Sequence, residues 1–271
     1  MNKISIVTAF FDIGRGDWTP DKGLPHFLER SNDVYIERFK TLTRLENDIT
    51  VFTSPDLVST LQKEIEDRKN VTIVPYDLLH NNKDDLIKVS KIQKSESFRS
   101  RVNPQQILMP EYWSPHYVVV TNLKAFFVQL AIEKNLPKNE MVSWIDFGYC
   151  RRPTQIPDSC KWEYNFDPNF IHLFNYKTLT PPKTINDAVL DNDVYILGAK
   201  AVAHKNKWKK MAELMQKSKE ELEKNEMVDD DQGLWLLSTI LSPEDFKFHR
   251  IPDHQLGYNP FVLFNNYNKC A

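Results

Sequence analysis

Only seven glycines occur in 271 residues, so each is read as a position with a backbone requirement rather than as filler. Cysteine is as scarce. Cys150, Cys160 and Cys270 form no CxxC pair, and their odd number does not suit a secreted disulfide framework, which points to a reducing, cytosolic setting. No apolar run approaches the roughly 18 residues that a spanning helix needs. Charge of either sign is not in excess: the formal net charge of −2 excludes a global nucleic-acid binder and leaves only local basic patches. The seven histidines form no HExxH, and no GxSxG elbow, internal repeat or low-complexity linker is present.

What is there is enough for a core, with 41% of residues hydrophobic, and the absence of a linker favours one domain. The start, Met1 to Gly14, superficially resembles a signal peptide, but Asp12 breaks its apolar stretch and no small-residue cleavage pattern follows. Ile4 to Phe11 instead reads as a strand buried on both faces. It runs into a loop, Asp12 to Asp17, carrying Gly14 and Gly16. Val34 to Leu45 has helical periodicity, Asp48 to Thr53 is a second strand, Ser54-Pro-Asp opens a helix through Asp67, and Val71 to Pro75 is a third strand. This β-α-β-α-β series predicts a parallel, doubly wound sheet.

Residues 80–116 read as a short helix plus a loop, Tyr117 to Asn135 as one helix, and Met141 to Phe147 as a fourth strand. Residues 151–193 read as meandering strands and turns. Val194 to Gly198 reads as a further strand, followed by a long helix from about Ala201 to Asn225 with an apolar stripe of Trp208, Met211, Met215 and Leu222. Asp229 opens another helix, and a polar tail with Pro252 and Pro260 closes the chain.

Three stretches bear on chemistry. Asp146-Phe-Gly148 is the magnesium tripeptide of protein kinases, but no third glycine follows Gly14-Arg-Gly16 and no His-Arg-Asp occurs, so that reading fails. Two others stay open. Asp12-Ile-Gly-Arg15 and Asp146-Phe-Gly148 both sit at strand ends, where open α/β sheets bind ligands. Asp146 there is suited to a divalent cation, Gly148 to close backbone approach, and Arg15 to a bidentate diphosphate clamp. Alternatively Asp146 caps the following turn and the arginines are surface. Asp229-Asp-Asp-Gln232 makes a capping box with Asp229 as N-cap, yet three acids exceed that need. A carboxylate at a helix start stays ionised, so Asp230 or Asp231 is a candidate proton acceptor or metal ligand. His254 lies in the tail as a candidate metal ligand, against the commoner surface role. Lys200, Lys205, Lys207, Lys209 and Lys210 read as a solvated face, or as a contact for anionic lipid headgroups.

Four segments carry a resemblance: Ile6 to Arg15 with Trp18 following, Ile49 to Thr53, Tyr117 to Lys124, and Trp144 to Arg151. In this order they resemble the HtrL/YibB-like bacterial proteins, which are encoded with surface-polysaccharide genes and regarded as glycosyltransferases. The resemblance implies an α/β, GT-A-like fold: a mostly parallel central sheet flanked by helices, with a Rossmann-like nucleotide-binding half over about 1–150 and an acceptor half over about 151–271. By that likeness Thr8, Ala9 and Phe10 would line the base of a nucleotide-sugar donor, and Lys124 would face its diphosphate. Asp146 would hold Mn or Mg. Gly198 and Ala199 would approach a glycan or lipid-linked glycan acceptor, and Asp230 or Asp231 would be catalytic. Gly148 stands where such enzymes carry a second acid, so one metal ligand is missing from the pattern. The expectation is a UDP-sugar-dependent enzyme of lipopolysaccharide, lipooligosaccharide or capsule synthesis, cytoplasmic, with possible peripheral contact at the inner membrane. The rivals are another metal-dependent nucleotide-using enzyme, and a catalytically degenerate binding subunit.

Overall fold

The computed structural model describes residues 3–65, 68–175, 177, 185–250 and 259–265. The first half alternates strand and helix as the apolar pattern dictates. β1 (Ile4–Phe10), β2 (Ile49–Thr53), β3 (Val71–Pro75) and β4 (Met141–Ile145) are all parallel, joined in the order β3-β2-β1-β4. Every residue of β2 and β4 is buried, so these strands read as continuous apolar runs rather than alternating ones. The described part of the sheet then continues through β6 (Ile196–His204), β5 (Ile171–Asn175) and β7 (Phe246–Arg250). β6 alone runs antiparallel to its neighbours, which makes the seven-stranded sheet mostly parallel.

Helices cover both faces. On one face α1 (Asn32–Leu42) and α2 (Val58–Ile65) bury Ile36, Phe39, Leu42, Leu61 and Ile65 against Ile4, Ile6 and Val51. The short α11 (Pro260–Leu263) adds Phe261 to this layer. On the other lie α4 (Lys83–Lys94), α6 (Pro115–Asn122), α7 (Lys124–Glu133), α9 (Lys205–Lys224) and α10 (Asp231–Leu241), packed on Val7, Phe52, Val142 and Trp144. Short helices α3 (Leu78–Asn81), α5 (Glu96–Arg99) and α8 (Ile185–Asp191) fill the connections. α9 keeps its expected stripe, with Trp208, Met211, Met215 and Leu222 all buried. Each such side chain contributes roughly 1.5–3 kcal/mol of burial, which holds a lysine-rich helix that propensity alone would leave marginal.

Several local expectations are corrected. Residues 80–116 hold α4, α5 and the end of α3, not one helix and a loop. The helix expected over Tyr117 to Asn135 is two, α6 and α7, broken at Leu123 (φ −84°, ψ 0°). The strand expected at Val194 to Gly198 continues to His204, because Ala201, Val202 and Ala203 are wholly buried between β4 and β5, and α9 starts only at Lys205. Phe246 to Arg250, where no strand was expected, is an edge strand. Lys200 is therefore not on a solvated face but fully buried in β6, its Nζ donating to the Tyr149 hydroxyl at 3.0 Å. Lys205 pairs with Glu140, and Lys207 and Lys210 with Asp245, so the basic cluster is largely neutralised. Among the described residues no helix is long and apolar enough to cross a membrane.

Candidate active site

Because β1 and β4 run parallel and side by side, their carboxyl ends open on one edge of the sheet, with Val7 level with Trp144. Antiparallel β6 brings its opposite end to that same edge, where the Ala199 carbonyl accepts from the Asp146 N–H at 2.9 Å. The start of α10 and the break between α6 and α7 complete a cavity of about 810 Å³. Ala9, Phe10, Arg15, Lys124, Asp146, Gly148, Gly198, Ala199, Asp230 and Asp231 all line it. Two proposed residues do not join them. Thr8 is fully buried in β1 and does not reach the cavity, and its Oγ1 lacks a partner. His254 lies outside the described residues.

The floor of the cavity is a chain of carboxylates around one ammonium. Lys124 Nζ donates to the Gly198 carbonyl at 2.9 Å, to Asp146 Oδ1 at 2.9 Å and to Asp231 Oδ1 at 3.1 Å. The break at Leu123 aims it there, since Lys124 opens α7. Burial would lower its pKa, but Asp146 and Asp231 outweigh burial and hold it above the ordinary value. Asp146 Oδ1 also accepts from the Trp144 indole N–H at 2.8 Å. Asp231 is 3% exposed, and its Oδ2 has no partner. That oxygen lies against Gly198: a Cβ at residue 198 would sit 1.9 Å from it, so only glycine fits.

Asp230, not Asp229, is the N-cap of α10, taking the Gln232 N–H at 2.8 Å on Oδ1 and the Tyr117 hydroxyl at 3.3 Å on Oδ2. The three acids do not stay ordinary carboxylates, as expected of a helix start. Burial raises the pKa of Asp229, Asp230 and Asp231, and buried Glu111, which the sequence had not flagged, is pushed up to about 8 by burial and then by Asp230.

A divalent cation at these acids would have to compete with the ammonium for them. Lys124 bridges Asp146 Oδ1 and Asp231 Oδ1 and leaves Asp231 Oδ2 as a buried oxygen without a partner. Among the described residues no group of three His, Cys, Asp or Glu is arranged to hold a metal.

The rim is basic. Arg15 stacks near Trp18, Tyr35 and Tyr117, with Nη1 donating to the Tyr35 hydroxyl at 2.6 Å and Nη2 to the Leu28 carbonyl at 3.2 Å. Gly148 does provide a close approach, but to a side chain: a Cβ there would meet the Tyr35 ring at 2.7 Å. Arg30, Arg151 and Arg152 also line the cavity.

Fold and site together define an α/β protein with an acidic floor and a basic rim at the carboxyl edge of its parallel strands. The chain belongs to the HtrL/YibB family, described as bacterial proteins of unknown function, whose model matches residues 2–264. It is 42% identical over 248 residues to Protein HtrL of Escherichia coli strain K12, covering 90% of this chain and 87% of that one. Solved structures it aligns with include the apo glycosyltransferase GlyE of Streptococcus pneumoniae TIGR4 (TM-score 0.43, 10% identity), over 92% of this chain and 45% of that one. Mouse xyloside xylosyltransferase 1 aligns with TM-score 0.41 and 12% identity, over 96% of this chain and 93% of the other. The chain thus spans under half the length of GlyE.

Proposed function

We propose that the protein is a glycosyltransferase, moving a sugar from a nucleotide-diphosphate donor, a UDP-sugar in the simplest case, to a hydroxyl of a bacterial surface glycan. The observation that carries this reading is the pairing, in one cavity, of buried proton-accepting carboxylates with a basic rim. Glycosyl transfer needs both. The departing nucleoside diphosphate gains charge, which Arg15 is placed to offset. The acceptor hydroxyl loses a proton, and an inverting reaction needs a base for it.

Asp230 suits that base. It lines the cavity, its two oxygens are fixed by Gln232 and Tyr117, and burial moves its pKa toward the working pH. Asp231 is tied to Lys124 and serves to hold the ammonium. Ala9 and Phe10 would face the nucleotide, and Gly198 and Ala199 the acceptor. The surface-glycan acceptor and a cytoplasmic site of action rest on the family resemblance alone.

The test is thermal melting with a panel of nucleoside diphosphates, followed by hydrolysis of the matching nucleotide sugars. One diphosphate at 100 times its dissociation constant should add about 2.7 kcal/mol. Asp230→Asn should keep that shift and lose turnover. If no nucleoside diphosphate changes the midpoint, with or without Mn²⁺, the reading falls.

A further inference from the structure

Five arginines from three separate segments gather at the rim. Arg15 and Arg30 belong to the β1–α1 connection, which is pinned by an Arg30 N–H donating to the Arg15 carbonyl at 3.1 Å. Arg38 comes from α1, and its Cδ lies 3.7 Å from where a Cβ at Gly148 would be. Arg151 and Arg152 follow β4. The four other than Arg38 line the cavity. Arg38 stands within electrostatic reach of Arg151, Arg30 and Arg15.

Among the described residues, none of these arginines pairs with a carboxylate; every ion pair runs through a lysine or a histidine. Asp12, the acid of the β1–α1 connection that lines the cavity, is occupied by the Gly14 N–H at 2.8 Å and the Asn32 amide at 2.7 Å. Arg15 also keeps a buried Nε with no partner. Like charges so gathered repel, and among the described residues no carboxylate offsets them. Guanidinium groups match phosphate oxygens bidentately, and a diphosphate carries the charge this cluster lacks, whereas a neutral sugar does not. On the floor, meanwhile, Lys124 already holds one oxygen each of Asp146 and Asp231, so a bridging cation there would have to compete with an ammonium.

We propose that Arg15, Arg30, Arg38 and Arg151, flanked by Arg152, form a phosphate-binding site that holds a diphosphate by direct guanidinium contact, without a bridging divalent cation. In taking the donor's diphosphate as ligand the proposal deepens the transferase reading and to that extent rests on it. A phosphorylated acceptor would offer the same chemistry.

The experiment titrates inorganic pyrophosphate, UDP and glucose 1-phosphate into the full chain by calorimetry, in EDTA and in Mn²⁺. The wild type is compared with Arg38→Gln/Arg151→Gln and, separately, with Arg30→Gln. Pyrophosphate should bind equally well in EDTA and Mn²⁺, with affinity falling roughly tenfold for each arginine removed and falling with added salt. If UDP loses affinity in parallel, the donor is the source; if only glucose 1-phosphate does, a phosphorylated acceptor is. Pyrophosphate binding with no nucleotide binding would keep the site and sink the transferase reading. A requirement for Mn²⁺, or variants that bind pyrophosphate as tightly as wild type, would overturn the proposal.

Discussion

On the floor of the cavity negative charge is buried and answered by one ammonium; at the rim positive charge is partly exposed and, among the described residues, answered by no carboxylate. The floor is built from β4, β6 and the opening turns of α7 and α10, so its geometry is part of the fold, and disturbing it disturbs the core. The rim hangs on the β1–α1 connection, α1 and the turn after β4, where solvent screens the charges. Buried charge is expensive unless paired, so the floor is tied to stability. The rim's charge costs little and is available to a ligand.

That contrast can be broken most forcefully at Lys124. Lys124→Met leaves Asp231 buried without a counter-charge, and roughly 3–5 kcal/mol of stability should be lost, read as a denaturant midpoint; the Asp146 arm, 38% exposed, adds little. Adding Asp231→Asn should recover part of the loss. Next comes Gly198→Ala, whose methyl would meet Asp231 Oδ2 at 1.9 Å. Overpacking of this kind costs about 1–3 kcal/mol, and turnover should fall with it, because the Lys124 contact to the Gly198 carbonyl shifts.

A third test uses pH. Glu111 titrates near 4.5 unfolded and near 8 folded, so its protonated form favours the native state. That contribution is complete below the unfolded value and is lost as pH rises through the folded one. Stability should therefore fall between pH 4.5 and 8, and Glu111→Gln should flatten the fall when midpoints are compared at pH 6 and pH 9. The smallest effect belongs to the rim: Arg38→Gln/Arg151→Gln should alter stability by no more than about 0.5 kcal/mol. A large loss there would show that the rim, too, is structural.

The parallel half of the sheet was legible because strands buried on both faces are written as unbroken apolar runs, as in Ile4–Phe10 and Met141–Ile145. The later half was not. Lys200 in the middle of β6 looks like the start of a lysine-rich helix, and nothing local reveals that Tyr149 and Phe174 accept it in the core. Phe246–Arg250 alternates charged and aromatic residues as an edge strand does, yet no strand was expected there. Asp146, Asp230 and Asp231 were found through their position at strand and helix ends. Glu111 was missed because it lies in a proline-flanked turn whose burial is set by distant packing. The arginines at 30 and 38 carried one weak signal: on α1, Arg38 has Val34, Tyr35, Thr41 and Leu42 at helical spacing and hence no acid to pair with.

Tyr35 gives the rim a particular vulnerability and a particular history. Its hydroxyl holds Arg15 and its ring rests on the backbone at Gly148, so a single aromatic ring clasps two loops separated by more than a hundred positions in the chain. Relatives that gain a side chain at 148 should therefore trade the tyrosine at 35 for something smaller, and the two loops should diversify as a linked pair rather than one at a time.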